Sequence, residues 1–246
     1  MAAGCGGTRE VTPANIPNPD RFLYDRGVAA LKEKKWLDAR EYFRQVVDNY
    51  PQSPLRPDAK LGIGDTYLGE RSSESLVLAD NEYREFLTFY PTNNRADYAQ
   101  FKLAMSFFEQ MRGPDRDQTS TREALQEFDT FFARYPDSPL AAEAKQKWRE
   151  ARDRLSDHNF GVGLLYFRLG VYGGALSRFQ EILKEDPGYS HRDGVYYYLA
   201  ELFLRADNKA ENRAQAIPYY QRLVTEFVES EYLERAQKRL KELNAQ

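Results

Sequence analysis

One pattern recurs five times along the chain and restricts it to a helical fold. Each copy has an alanine, an aromatic residue four positions later and a proline, or in the last copy a valine, at the twelfth position. Ala175, Phe179 and Pro187 form the fourth copy. Residues four apart share one face of an α-helix and a proline ends a helix, so each copy predicts one helix with a small and aromatic contact face. The five alanines lie 40 to 51 residues apart and are Ala39, Ala79, Ala124, Ala175 and Ala216.

The pattern resembles the tetratricopeptide repeat, in which a first helix with Gly and Tyr precedes a second helix with Ala-x3-Phe and a terminal Pro. Gly163 and Tyr166 occupy the Gly and Tyr positions ahead of Ala175. The resemblance implies an all-α fold, a tetratricopeptide-like superhelical solenoid of about five helix pairs. A charged helix at about 231–244 is predicted to cap it. From Leu140 to about Leu169 proline is absent, which predicts one long helix or two abutting ones.

The net charge, the hydropathy and the motifs of the sequence argue against several classes of function. The formal net charge of −3 argues against a nucleic-acid partner bound through phosphate contacts. No apolar run approaches the ~18 residues that a membrane-spanning helix needs. His158 and His191 lack the spacing of metal ligands or catalytic bases, and no glycine-rich phosphate loop is present. We therefore expect no enzymatic activity, no cofactor and no metal.

Residues 1–19 are small, polar and proline-rich, and they are predicted to form a disordered tether. Their notable residue is Cys5, the single cysteine of the chain. The stretch Ala2-Ala3-Gly4-Cys5-Gly6-Gly7 resembles the end of a bacterial lipoprotein signal, which implies that Cys5 carries a lipid. Two features depart from that class: only four residues precede Cys5, and Ala2 stands where leucine is usual. The alternative is an incidental cysteine in a tail.

A peptide-binding surface is the function that remains. In such arrays the first helix of each pair lines the concave face, and aromatic residues with a methionine suit an extended peptide with apolar side chains. The predicted outward positions of the early repeats are Arg21, Tyr24, Val28, Leu61, Asp65, Tyr98, Phe101 and Met105. Those of the later repeats are Phe160, Leu164, Arg168, Tyr197 and Glu201. The alternative for each is a place in the core between repeats. Arg178 is next to the core residue Phe179, so its side chain is predicted to point away from the core and to be free to pair with an acid of a partner.

Several stretches together resemble the BamD family of outer-membrane assembly lipoproteins. They are YPQSP, RADYAQFKLAMSFFEQ, RDQTSTREALQEFDTFFARYPDSP and GVGLLYFRLGVYGGALSRFQEIL, after the cysteine-led tether. The resemblance implies a non-enzymatic scaffold of the β-barrel assembly machinery at the periplasmic face of the outer membrane, anchored by lipidated Cys5. It implies that repeats 1–3, residues 20–136, bind C-terminal segments of unfolded outer-membrane proteins around Tyr24, Leu61, Tyr98 and Phe101. Residues 137–246, with Arg178, would bind a BamA-like barrel protein, and other machinery subunits are expected as partners.

Two other classes of function stay open at this stage. One is a different envelope-associated tetratricopeptide adaptor, for example in division or polysaccharide export, which would share the fold but not the client. The other is an enzyme or an accessory domain of one, which a buried cluster of histidines and carboxylates would favour.

The lipobox-like setting of Cys5 gives a first prediction. When the protein is expressed from its full-length gene, Cys5→Ala should move it from the membrane fraction to the soluble fraction, because the acyl chains would be lost. Fractionation followed by immunoblotting measures this. Unchanged retention in the membrane fraction would contradict lipidation at Cys5.

Overall fold

The computed structural model describes residues 17–206 and 210–245, and all regular secondary structure in these residues is α-helical. In chain order the helices are α1 (Pro19–Lys32), α2 (Trp36–Asn49), α3 (Arg56–Glu70), α4 (Ser73–Phe89), α5 (Ala96–Glu109), α6 (Thr119–Arg134), α7 (Ala141–Arg168), α8 (Tyr172–Glu185), α9 (Arg192–Ala206), α10 (Ala210–Glu226) and α11 (Leu233–Asn244). In chain order ten of these helices fall into the five predicted repeats, and the single helix α11 follows them. The predicted all-α fold of helix pairs is confirmed. Cys5 and the rest of residues 1–16 of the predicted tether lie outside the described residues.

The chain divides into two compact units, with the boundary within α5, between Ser106 and Phe107. In the first unit α1 packs on α2, α2 on α3 and α3 on α4, and α1 also contacts α3. In the second unit each helix from α6 to α11 packs on the next one in the chain. Contact between sequential neighbours is the packing expected of a repeat protein. The functional division at 136/137 stays a prediction.

Glycines on the first helices set the distance between helices. Phe43 on α2 lies between Gly27 of α1 and Gly62 of α3, where an added Cβ would come within 2.7 and 2.6 Å of the phenyl ring. Gly163 of α7 faces the Phe179 ring in the same way, at 2.5 Å. Any larger residue at these glycines would push the aromatic ring away, so the close approach of the helices depends on glycine.

The repeated alanines and aromatics form the core, as their spacing predicts. All five alanines have no exposed surface, and the five aromatics four positions later are at most 1% exposed. These aromatics are Phe43, Tyr83, Phe128, Phe179 and Tyr220. The common register of the five copies is therefore confirmed.

The segment after Leu140 forms one continuous helix, α7, of 28 residues. Its middle is bonded to the end of α8 through Asp186. Arg149 donates two hydrogen bonds to that carboxylate at 2.8 and 2.5 Å, and Ser156 donates a third at 2.6 Å. Burial alone would raise the pKa of Asp186, but these hydrogen bonds hold it below its usual value. The ionised carboxylate thus joins α7 to the turn that follows α8.

The turns between repeats are held by aspartate–serine hydrogen bonds. Asp20 accepts a hydrogen bond from Ser53 at 2.6 Å, and Ser190 and Ser230 donate to Asp153 and Asp193 at 2.7 and 2.5 Å. The hydrogen bond from Ser53 lowers the pKa of Asp20. The sequence Pro19-Asp20 predicts that Asp20 caps α1 and that Pro19 lies just outside the helix. That prediction is wrong, because α1 begins at Pro19 and the Asp20 side chain bonds the next repeat instead.

The two glycines in the middle of α7 provide a matched test of the packing. Gly163→Ala should lower the free energy of unfolding by about 1–3 kcal/mol, because its Cβ would overlap the Phe179 ring. Gly161→Ala should leave it unchanged or raise it by about 0.5–1 kcal/mol, because nothing lies within 4 Å and alanine favours the helix. Urea denaturation of both variants measures the difference. Equal stabilities would show that the Gly163–Phe179 contact does not constrain the helices.

Candidate functional site

A polar and aromatic surface in the first unit is the best candidate site. It brings together the first helices of the first three pairs, with Tyr24 on α1, Asp65 on α3 and Tyr98 on α5. All three residues are partly exposed. Tyr24 packs against Phe43, with the ring centroids 5.7 Å apart, so the repeat core fixes its position. We call Tyr24, Asp65 and Tyr98, with their cationic neighbours Arg95 and Lys102, the first-unit face.

Asp65 is the centre of this face. Its carboxylate accepts a hydrogen bond from Tyr83 at 2.7 Å and hydrogen bonds from Tyr98 to both oxygens, at 3.0 and 2.9 Å. Burial raises the pKa of Asp65 above its usual range, and the nearby Lys102 and the two tyrosines only partly offset this. Asp65 therefore connects α3, α4 and α5 through one carboxylate.

The tyrosines of the face are hydrogen-bond donors at neutral pH. Burial, followed by the charge of Asp65, raises the pKa of Tyr98, and burial followed by the charge of Asp58 raises that of Tyr24. A phenol with a raised pKa keeps its proton, so neither residue is suited to act as a base or nucleophile. The arrangement favours binding through rings and hydroxyls.

Two cations lie over the Tyr98 ring. The guanidinium of Arg95 is 4.5 Å from the ring centroid and the ammonium of Lys102 is 5.3 Å from it. Arg95 also pairs with Asp58 at 3.5 Å. The surface therefore presents a tyrosine flanked by two cations, which can donate hydrogen bonds to carboxylates and backbone carbonyls of a bound chain.

Sequence reasoning did not select Arg95 and Lys102, although the signal was present. They lie three residues before and four residues after Tyr98, the spacings that share one face of a helix. Tyr83 was selected only as a core aromatic. A hydroxyl at a fully buried position requires a partner, and this requirement was the available indication of its bond to Asp65.

The predicted outward residues divide into exposed and buried ones. Tyr24, Asp65, Tyr98 and Met105 are partly exposed. The outward orientation of Leu61 and Phe101 is wrong, because they are only 2% and 3% exposed and belong to the core. Glu201, also predicted to point outward, is buried and accepts a hydrogen bond from Tyr220 at 2.6 Å. In each case the alternative of a place in the core between repeats is the correct one.

Arg178 lies on α8 in the second unit. Its side chain is 41% exposed, in agreement with the predicted outward orientation. It is not free, because it pairs with Glu181 one turn later on the same helix at 2.9 Å. An exposed pair of this kind contributes little to stability, so a partner acid can compete for Arg178 at small cost.

The two histidines lie within hydrogen-bonding distance of nearby residues. His158 is hydrogen-bonded through Nδ1 to the carbonyl of Pro114 at 2.7 Å, and His191 lies 3.0 Å from Asp157. Within residues 17–206 and 210–245 there is no group of three or more His, Cys, Asp or Glu placed to hold a metal ion. None of the helices in these residues is long and apolar enough to cross a bilayer.

Comparison with known proteins gives consistent matches. The family model YfiO, described as an outer membrane lipoprotein, matches residues 17–200. A Caulobacter vibrioides protein named outer membrane protein assembly factor BamD is 30% identical over 204 residues, covering 82% of this chain and 66% of that protein. A Vibrio cholerae protein of the same name is 24% identical over 194 residues, covering 75% of this chain and 78% of its own length. Among solved structures, a tetratricopeptide repeat protein from Parabacteroides merdae is 15% identical, with a TM-score of 0.39 over 93% of this chain and 88% of that one.

The raised pKa of Asp65 predicts a pH-dependent stability. Between the pKa of an unfolded aspartate, about 3.9, and the higher value in the folded protein, the folded state binds more protons, so rising pH lowers the free energy of unfolding. Asp65→Asn cannot ionise and keeps one acceptor for the tyrosines. The free energy of unfolding of the variant minus that of the wild type should therefore increase as pH rises through this window. A part of this difference that does not depend on pH comes from the altered hydrogen bonds.

Urea denaturation of both proteins at a series of pH values from about 3.5 to 7 measures this difference. Contributions from other groups, such as Asp186, cancel in the comparison. A stability difference that stays constant with pH, or that falls as pH rises, would show that Asp65 ionises as readily in the folded protein as in the unfolded chain.

Proposed function

Because the chain belongs to the YfiO family of outer membrane lipoproteins, we propose that it is a non-enzymatic assembly factor for outer-membrane proteins, of the kind named BamD in its relatives. Its first-unit face binds unfolded segments of outer-membrane proteins, and its second unit binds a BamA-like barrel protein. It works at the periplasmic face of the outer membrane, where a lipid on Cys5 holds it.

The observation that carries this proposal is the first-unit face itself. Tyr24 and Tyr98 offer ring surface, and Arg95 and Lys102 offer cations beside the Tyr98 ring. Unfolded chains of β-barrel proteins present alternating apolar side chains and unpaired backbone groups. Aromatic rings next to hydrogen-bond donors match both features, as in other surfaces that bind extended peptides.

Asp65 positions this face from beneath. Its two oxygens already accept hydrogen bonds from the Tyr83 and Tyr98 hydroxyls, so it orients the Tyr98 ring instead of contacting a client directly. Leu61 and Phe101 support the surface from the core. The residues that contact the client are then Tyr24, Tyr98, Arg95, Lys102 and Met105.

A non-enzymatic role agrees with the chemistry of this face. The tyrosines keep their protons, and the Asp65 carboxylate is engaged on both oxygens. Catalysis by acid–base or nucleophilic steps needs a group that is free to gain or lose a proton at the working pH. The face therefore supports binding better than reaction.

The partner side of the second unit is tested through Arg178. Reversal of its charge in Arg178→Glu should reduce co-purification of a BamA-like protein from detergent-solubilised membranes, because an acid on the partner would then face another acid. Helicity should stay unchanged, since the Arg178 side chain is 41% exposed. Quantitative mass spectrometry of the co-purified proteins measures both the identity and the amount of partner.

Lys184→Glu is the matched control, because Lys184 lies on the same helix and is 83% exposed. It should leave the amount of partner unchanged. Equal recovery with Arg178→Glu would remove Arg178 from the interface. If the wild-type protein recovered proteins of division or polysaccharide export and no barrel assembly protein, the proposed function would be wrong and the alternative adaptor role would replace it.

A further inference from the structure

The second unit carries an aromatic surface that the proposed function does not use. It consists of Phe167 at the end of α7, Tyr197 and Tyr198 on α9, and Tyr232 at the start of α11. All four residues are partly exposed. We call these four rings the aromatic ladder. They come from the first helices of the last two pairs and from the closing helix, so they share one side of the repeats.

The rings of the ladder form one contiguous cluster, in which the centroids of Tyr197, Tyr198 and Tyr232 all lie within 5.8 Å of one another. The centroid of Tyr198 is 5.1 Å from that of Phe167 and 5.4 Å from that of Tyr197. Tyr197 stacks on Tyr232 at 5.0 Å with an interplanar angle of 29°. The packing of each ring against the next fixes the positions of all four, so little conformational entropy is lost when a ligand covers them.

An arginine is held at each end of the ladder. The guanidinium of Arg235, on α11, lies 5.1 Å from the Tyr197 centroid and 5.0 Å from the Tyr232 centroid. The guanidinium of Arg205, on α9, lies 4.9 Å from the Phe167 centroid and donates to the Tyr172 hydroxyl at 3.4 Å. The ladder is thus bounded by two cations that rest on aromatic rings.

Arg235 differs from its neighbour Arg239 one turn further along α11. Arg239 is neutralised by Glu201 at 3.0 Å and by Glu242 at 3.2 Å. Arg235 is exposed, and no carboxylate in the described part of the chain pairs with it. A guanidinium held against two rings keeps its N–H edge available, which is the geometry that binds a carboxylate through two hydrogen bonds.

We propose that the aromatic ladder is a second peptide-binding surface, which binds an extended acidic segment with aromatic or apolar side chains. A carboxylate of the segment pairs with Arg235, and its apolar side chains pack on Tyr197, Tyr198 and Phe167. The proposal concerns the second unit alone and holds whether or not the chain is an assembly factor.

The charge of the ladder favours this ligand. The two arginines at its ends favour a ligand with negative charge. A nucleic acid would also supply rings and charge, but the chain as a whole has a net charge of −3, which disfavours a polyanion.

The test uses the full chain and a fluorescently labelled synthetic peptide of about eight residues, in which phenylalanine and aspartate occupy every second position and serine the positions between them, so that both side chains share one face of the extended peptide. Fluorescence anisotropy measures its Kd. Arg235→Gln should weaken binding by about tenfold or more, because a charge-assisted pair is lost. Arg235→Lys should weaken it less, since the charge is kept but the two-pronged geometry is lost.

Arg222→Gln is the matched control. Arg222, on α10, is an exposed arginine 6.0 Å from the centroid of the buried Tyr196 ring, so it has the same chemistry outside the ladder. Its replacement should leave the Kd unchanged. Circular dichroism of all three variants should match that of the wild type, because both arginines are exposed.

Three results would overturn the proposal. The first is a Kd that Arg235→Gln leaves unchanged, or that Arg222→Gln changes equally. The second is equal binding of a peptide in which every aspartate is replaced by asparagine. The third is binding of a single-stranded oligonucleotide more tightly than the peptide with the same dependence on Arg235, which would identify the ladder as a nucleic-acid surface.

Discussion

The contact between a glycine and an aromatic ring is the constraint on which the rest of this structure depends. Phe43 fits between α1 and α3 only because Gly27 and Gly62 carry no side chain. This contact sets both the distance within a pair and the distance to the next pair. It therefore decides where the remaining faces of α1 and α3 lie, and it places Tyr24 and Asp65 on one surface.

The same repeat position fixes a carboxylate in each unit. Where the motif aromatic is tyrosine instead of phenylalanine, its buried hydroxyl needs an acceptor. The hydroxyl of Tyr83 donates to Asp65 on α3 at 2.7 Å, and that of Tyr220 donates to Glu201 on α9 at 2.6 Å. A tyrosine of the core thereby fixes an acid on the first helix of its own pair, and that acid in turn orients the polar side chains around it.

Much of the fold follows from the sequence, because the motif reports packing directly. The five pairs, the closing helix and the register of alanines and aromatics are all confirmed, as is the resemblance to the BamD family. The residues of the candidate site were predicted less completely from the sequence. Helical periodicity shows which side of α3 or α5 is apolar, but it does not show how many neighbouring helices pack on a first helix. Leu61 and Phe101 are therefore buried although the repeat register predicts them to face outward, whereas Tyr98 is partly exposed.

The two surfaces differ in how their cations are balanced, and this difference argues for different ligands. In the first unit Arg95 pairs with Asp58, and Lys102 lies near the Asp65 carboxylate, so the local charge is mostly neutralised. That surface suits chains recognised by side-chain shape and backbone groups. In the second unit Arg235 rests on two rings without an acid of its own among the described residues. A guanidinium without a paired carboxylate gains most from an acid on the ligand, so negative charge on the ligand should contribute more to binding there than on the first-unit face.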